Sequence, residues 1–410
     1  MAKEYKNVVV GLDIGTAKVM VVVAEIMPGG ELKLAGLGVA PTNGGLKRGV
    51  VNNIDATVHS IQAALKEAEL MADFKITRVS TGITGSHIRG INSTGMVAIK
   101  EREVTQTDVG RVVETARAIH ISADQRILLE EPQEFIIDGQ LVREPIGMSG
   151  IRLEVKVHIV TGSMTAAQNI IKCVRRCGLE VDQPMLNPLA SSLAVLSEDE
   201  RDLGVAMVDI GEGTTDVAIF TNGAIRHTAV IPIAGDLITR DIAMALRTST
   251  KDAEEIKVES GHARQTLVDP DVQVEVPGLG DRAPRMLSRQ ALAGVIEPRA
   301  EEIFSLVKQV LRESKFEELI GSGIVLTGGS SVMPGMVELA EDIFLKPVRR
   351  GIPTYNNALA DMVAQPRAAT VMGLLEAARL ARMRGHKVAQ KQGSMKTAFG
   401  GIKDWFAGNF

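Results

Sequence analysis

At 410 residues the chain is too long for one compact core and calls for roughly two to four domains. A hydrophobic content of 45% with 23% charged residues describes an ordinary globular protein, and a net charge of −4 argues against a general nucleic-acid binder. The only cysteines, Cys173 and Cys177, share one face of a predicted helix with no His or Cys beside them in sequence. They read as free thiols in a reducing cytosol, not as a disulfide or a metal site.

The start, MAKEYKNVVV, runs straight into a predicted strand, with no signal-peptide pattern and no apolar run long enough to span a bilayer. Residues 8–25, VVVGLDIGTAKVMVVVAE, form a β-branched run, then Asp13-Ile14-Gly15-Thr16, then a second β-branched run. This predicts a hairpin, with Lys18 placed just past the turn to meet a phosphate as a point charge. Residues 54–72 predict an amphipathic helix capped by Asn52 or Asn53, with Ile61, Ala64, Leu65 and Ala68 on its inner face. A buried strand at 79–82 completes the β-then-α order of a ribonuclease-H-like half. Between 83 and 164 the texture changes. Thr105 to Asp108 cap a helix reaching Ile119, and short alternating strands are expected at 126–131, 134–137 and 151–160. None of these carries phosphate chemistry, so the stretch reads as an inserted subdomain or an elaborated part of the first half. Helices are expected at 165–178, closed by Gly178, and at 188–196.

Residues 208–218, VDIGEGTTDVA, repeat the first hairpin. Asp209 ends a buried strand, where an unpaired carboxylate is costly, and a Mg²⁺ with its waters would remove that cost. Gly211 and Gly213 can adopt positive φ and leave room for a ligand, and Thr214 and Thr215 add hydroxyl donors. A single glycine-rich turn is usually just a turn. A second Asp-Ile-Gly in the same strand–turn–strand setting points instead to two related halves that share a cleft. Residues 231–236, IPIAGD, predict a strand and then a helix start at Gly235, a natural anion site. Glu254 and Lys257 lie on one face of a short helix, by themselves a solvated ion pair. Strand and loop follow over 258–293, then a helix over 292–311. Residues 324–336, IVLTGGSSVMPGM, predict a buried strand, the loop Gly328-Gly329-Ser330-Ser331 and a helix start, with backbone passing close to a flat nucleoside. A helix at 336–345, a strand-and-loop return and a last helix at 369–383 complete the core.

Residues 384–394, RGHKVAQKQGS, read as a flexible linker. In the tail MKTAFGGIKDWFAGNF, Met395, Phe399, Ile402, Trp405 and Phe406 fall within an arc of about 140° on a helix, with Lys396 and Lys403 beside it. An apolar face rimmed by lysines on a linker fits an interfacial helix on an anionic membrane, the alternative being docking on the protein's own core.

The paired D-x-G-T hairpins and the late T-G-G-S loop resemble the actin, Hsp70 and sugar-kinase superfamily over nearly the whole chain. VDIGEGTTDVAIF, NPLASSLAVL, VIPIAGDLITRDIA, AEEIK, VIEPRAEE and IVLTGGSSVMPG, with the amphipathic C-terminus, are similar to the FtsA family of bacterial cell-division proteins. The resemblance implies an α/β, actin-like two-domain ATPase fold with duplicated ribonuclease-H-like halves and an inserted FtsA-type 1C subdomain. Subdomain 1A would comprise 1–82, 165–203 and 369–383, subdomain 1C 83–164, subdomain 2A 204–240 and 312–368, and subdomain 2B 241–311. The linker at 384–394 and the membrane helix at 395–410 would follow.

The resemblance also implies ATP with Mg²⁺, held by Asp13, Gly15, Thr16, Lys18, Asp209, Gly211, Gly213, Thr214, Thr215, Gly235, Gly328, Gly329 and Ser330. Asp13 and Asp209 would meet the metal through water, and Glu254 and Lys257 would reach the ribose. Asn187 stands where the superfamily often has a Glu or Gln that positions the attacking water. An amide orients water but cannot take its proton, so hydrolysis is expected to be slow or absent. Glu212 stands where glycine is commoner, and its carboxylate must point away from the phosphates. The 1C subdomain implies self-association into filaments and contacts with other divisome proteins. The 2B lobe implies docking of the FtsZ C-terminal tail, with Arg299 as the contact residue. The expected role is an ATP-binding cell-division protein that tethers FtsZ filaments to the cytoplasmic face of the inner membrane at the division site. The alternative is a small-molecule kinase of the same superfamily, which needs a catalytic carboxylate facing a substrate pocket that no stretch announces.

Overall fold

The structure, a computed structural model, describes residues 7–280, 282–355 and 360–391, with the side chains of 183, 360 and 384–391 outside the description. The first half opens on β1 (Val8–Ile14), β2 (Lys18–Ile26) and β3 (Leu32–Pro41), an antiparallel meander of buried β-branched residues. The two-residue strands β4 (Leu46–Lys47) and β5 (Val50–Val51) lead into α1 (Ile54–Ala72), whose first turn is capped by the Asn53 side chain. Strand β6 (Arg78–Ile83) then lies parallel to β1.

The chain next leaves the sheet for a separate unit. β7 (Arg89–Ala98), α2 (Gln106–Arg117), β8 (Gln125–Ile137), β9 (Gln140–Val142) and β10 (Arg152–Ser163) form a sheet of order β7-β10-β8-β9 around their own apolar cluster. Thr105 and Asp108 make a full capping box on α2. The chain returns through α3 (Met164–Arg176), β11 (Glu180–Leu186, parallel to β6), α4 (Asn187–Val195) and α5 (Glu198–Leu203).

The second half repeats the first. β12 (Val205–Ile210), β13 (Thr215–Thr221) and β14 (Ala224–Ile231) form the meander. After α6 (Gly235–Leu246), α7 (Thr250–Ser260), the hairpin β15 (Gln273–Val276) and β16 (Arg285–Ser288), and α8 (Arg289–Ser314), strand β17 (Ile324–Thr327) lies parallel to β12. Helix α9 (Met336–Phe344) and β18 (Val348–Arg350), parallel to β17, follow, then α10 (Ala360–Val363) and α11 (Ala369–Lys391). The two sheets, β3-β2-β1-β6-β11 and β14-β13-β12-β17-β18, share one topology: three antiparallel strands, then two parallel ones. This is the duplicated actin-like architecture.

Helix α4 joins the halves. Leu189 and Val195 enter a cluster with Met207, Ala218, Phe220 and Val325 of the second sheet. On its other side α11 packs so closely that a Cβ on Gly373 would lie 1.6 Å from the Ala190 carbonyl oxygen.

The inserted unit also meets the second half along a polar seam. Gln133 donates to the Ile225 carbonyl at 2.7 Å and Asn92 to the Arg226 carbonyl at 3.0 Å. His158, fully buried, donates from Nδ1 to Asn92 Oδ1 at 2.6 Å and accepts the Thr228 hydroxyl at Nε2 at 2.9 Å. Burial holds its pKa down at about 3, with His227 adding to the shift, so the ring is neutral. Arg226 closes the seam on Glu134 at 2.7 Å.

Three expectations change. The strands expected at 126–131 and 134–137 are one strand, β8, because the register shift opposite Lys156 and Val157 forms a bulge at Gln133 that absorbs Pro132. The short helix expected around Glu254 and Lys257 extends from Thr250 to Ser260, capped by Ser249. The last helix does not stop at 383. It continues through 391, so this part of the expected linker is helical backbone, as its Ala, Gln, Lys and Arg content permits in the absence of proline. The amphipathic segment at 395–410, with Met395, Lys396, Phe399, Ile402, Lys403, Trp405 and Phe406, lies outside the described residues.

Candidate nucleotide site

The two Asp-Ile-Gly turns are built alike. The Gly15 N–H closes on the Lys18 carbonyl at 2.9 Å, and the Gly211 N–H closes on the Thr214 carbonyl at 2.9 Å. The turns meet each other: a Cβ on Gly213 would lie 2.5 Å from Thr16 Oγ1 and 3.0 Å from Arg48 Cα. Thr16 in turn accepts the Gly49 N–H at 3.2 Å. Neither Gly15, Gly211 nor Gly213 has a positive φ. Glycine stands at Gly213 because a neighbouring loop occupies the space of a side chain, which corrects the conformational reason expected for it.

The other loops close on the same point. The Gly235 N–H donates to the Gly211 carbonyl at 3.2 Å, and Ser330 Oγ donates to the same oxygen at 2.8 Å. Lys257 Nζ reaches the Gly235 carbonyl at 3.3 Å, Thr239 Oγ1 at 2.9 Å and Glu254 at 2.6 Å. Gly328, at φ +87°, passes so near Asp209 that a Cβ would lie 2.3 Å from Oδ1. Thr214 hydrogen-bonds Asp216. Thr215 donates instead to the Ile233 carbonyl at 2.8 Å, so its hydroxyl aligns β13 with the approach to Gly235.

At the centre are three buried carboxylates and one ammonium. Asp209 accepts Ser191 Oγ at 2.6 Å, with Thr370 Oγ1 at 3.4 Å. Burial raises its pKa, and these bonds and Lys18 oppose the rise. Burial lifts Asp13 to about 6, with Lys18 pulling it down and Asp209 pushing it up. Burial lowers Lys18 to about 8, opposed by Asp13. Asp216, directly across the hairpin from Asp209 and bonded to Thr84 Oγ1 at 2.9 Å, is pushed by burial, and then by Asp209, to about 8. Carboxylates raised together in this way form a place where a cation is favoured. Asp216, Ser191 and Thr370 belong to the site although sequence reasoning had not assigned them. Among the described residues no three His, Cys, Asp or Glu side chains are grouped to hold a bare metal ion, so a Mg²⁺ here would complete its sphere with phosphate oxygens and water.

The sequence matches the family described as Cell division protein FtsA over residues 206–373, and the SHS2 domain inserted in FTSA over 85–161. Cell division protein FtsA of Pseudomonas aeruginosa is 56% identical over 90% of this chain and 88% of its own length. The Escherichia coli K12 protein of the same name is 44% identical over 94% of each. The chain belongs to the FtsA family of cell-division proteins. Solved structures extend the fold: MreB5 of Spiroplasma citri bound to ADP has a TM-score of 0.58 at 14% identity, covering 95% of this chain and 99% of that one. The PilM-PilN type IV pilus biogenesis complex has a TM-score of 0.65 at 18% identity, covering 90% and 98%. The SHS2 match falls on the β7–β10 insertion of this FtsA-family chain.

Within the FtsA frame, burial, aided by the charge of Glu254, raises the pKa of Glu212, with Lys257 opposing the rise. Asn187 is buried at the start of α4, with its Oδ1 unpartnered and directly against Gly82. Arg299 on α8 makes a two-pronged pair with Asp241 on α6, at 2.6 and 3.1 Å, and also meets Glu302. Among the described residues no helix is long and apolar enough to cross a membrane. A cavity of about 1560 Å³ lies elsewhere, bordered by β8, α2, β11 and α11, and none of the phosphate-loop residues lines it.

Proposed function

We propose that this chain is an ATP-binding adaptor of the division machinery, with the nucleotide gripped between the two Asp-Ile-Gly turns. The observation that carries this reading is the direct apposition of Gly213 and Thr16, one turn from each half, above the buried Asp13 and Asp209 and the half-buried Lys18. Lys18 and the backbone N–H groups of the turns meet the phosphates. Asp13 and Asp209 hold Mg²⁺ through water, and the metal supplies charge neutralisation on the phosphate oxygens. Ser330, Gly328 and Gly329 pass beside the nucleoside, with Glu254 and Lys257 at the ribose. Asn187 supplies an amide and no base at the start of α4, so turnover is slow or absent. Isothermal titration tests the site. Asp209→Ala is expected to weaken Mg-ATP by about 10–100-fold, the range for losing a group that orients a metal's ligands. Unchanged affinity at unchanged thermal stability refutes the assignment.

In this reading the chain self-associates, contacts other divisome proteins through 1C, and ties FtsZ filaments to the cytoplasmic face of the inner membrane. The FtsZ C-terminal tail docks on 2B beside Arg299, and the C-terminal amphipathic segment binds anionic lipid. The aromatic and lysine pattern of residues 395–410 supports the last point. Trp405→Glu or Phe406→Glu is expected to abolish sedimentation with anionic liposomes while leaving ATP binding intact. Sedimentation equal to the unaltered chain refutes the anchor.

A further inference from the structure

The segment Pro366–Arg367, just before α11, threads between the two halves at the mouth of the site. The Pro366 carbonyl accepts the Gly328 N–H at 3.2 Å and Thr327 Oγ1 at 3.3 Å, from the second half. The Arg367 carbonyl accepts Lys18 Nζ at 2.8 Å, from the first. A Cβ on Gly329 would lie 3.9 Å from Arg367 Cβ, which puts the base of this side chain against the glycine loop that borders Asp209. The guanidinium is near enough for its charge to bear on the Lys18 ammonium. Arg367 is exposed, and among the described residues its guanidinium has no hydrogen bond and no ion pair.

The charge around the phosphate path is unbalanced. Lys18 is shared among Asp13, Asp209 and the Arg367 carbonyl, and Lys257 is taken by Glu254. Asp216 and Glu212 add further carboxyls. Among the described residues, a triphosphate entering here would meet an uncommitted guanidinium at position 367 beside the Gly328–Gly329 loop, besides that of Arg48 at the contact of the two turns.

We propose that Arg367 binds the terminal phosphate of a nucleoside triphosphate and reads its presence, with Lys18 held in place by the same residue's backbone. This inference rests on the nucleotide reading of the cleft. A guanidinium forks onto two phosphate oxygens, which a free amine cannot do, so the contact is selective for arginine as well as for charge. Because Pro366–Arg367 is bonded to both halves, a phosphate held there draws on both at once.

The test is titration of the full chain with Mg-ATP and with Mg-ADP. Arg367→Ala is expected to weaken ATP by about tenfold or more and ADP by less than about twofold, with Arg367→Lys in between. Arg367→Glu is expected to be worse than alanine for ATP alone. Equal losses for both nucleotides, or no loss, overturn the proposal. The side chain is exposed and the Lys18 bond is to backbone, so the variants keep the thermal stability of the parent. If the unaltered chain binds neither nucleotide, the reading of the cleft fails and this inference with it. If the parent binds ATP and Arg367→Ala binds it equally well, only this inference fails.

Discussion

Gly213→Val is expected to abolish Mg-ATP binding, lowering affinity at least about a hundredfold, or about 2.7 kcal/mol. The first atom of the new side chain would fall 2.5 Å from Thr16 Oγ1 and 3.0 Å from Arg48 Cα. Thr16 cannot simply rotate away, because its hydroxyl oxygen accepts the Gly49 N–H. Valine's branched Cβ adds two methyls with restricted rotamers at the point where the turns touch. The turns must separate, and the N–H groups and Lys18 then no longer converge on one phosphate chain. The change is local to two loops, so the fold should survive. Isothermal titration with a parallel melting curve distinguishes the cases: near-parental affinity would show that the contact between the turns is not part of a nucleotide grip.

Gly373→Ala is expected to be the most damaging single-methyl change to stability. The added carbon would lie 1.6 Å from the Ala190 carbonyl oxygen and 2.3 Å from its carbon. Both are backbone atoms of α4, which no rotamer change relieves. α4 and α11 must move apart, and α4 carries Ser191, the partner of Asp209, and the Leu189 and Val195 anchors between the halves. A loss above about 4 kcal/mol is expected, a large part of the usual 5–15 kcal/mol of a folded domain. Urea unfolding measures it. A loss below about 1 kcal/mol would mean that the two helices separate at little cost, and that their close packing does not hold the halves together.

The sequence made the repeated hairpins legible because Asp-Ile-Gly recurs with β-branched strands on both sides, and that repeat reflects a duplicated backbone. The cap of α1, narrowed to Asn52 or Asn53, and the cap at Thr105–Asp108 were legible because both are local chemistry. The reason for Gly213 was not, because its neighbours Thr16 and Arg48 come from the other half of the chain. Asp216 lay in plain view in the second motif. Counting register across the hairpin would have set it opposite Asp209, whereas its counterpart in the first hairpin is Met20. Ser191, Thr370 and Arg367 carry no local signal, since each acts on a strand far away in sequence. Thr215 looked like a ligand donor by composition alone, and the structure gives its hydroxyl to Ile233. The single β8 was hidden by Pro132, which reads as a break unless a bulge is allowed for.

The polar seam has a consequence for solubility. β14 is the outermost strand of its sheet, and an uncovered strand margin recruits other chains by backbone pairing. Here its outward carbonyls at Ile225 and Arg226 are occupied by Gln133 and Asn92 of the insertion. Excising residues 85–161 would therefore strip a guard from a sticky border as well as remove a module, and clumping of such a truncation would follow from the bared strand alone.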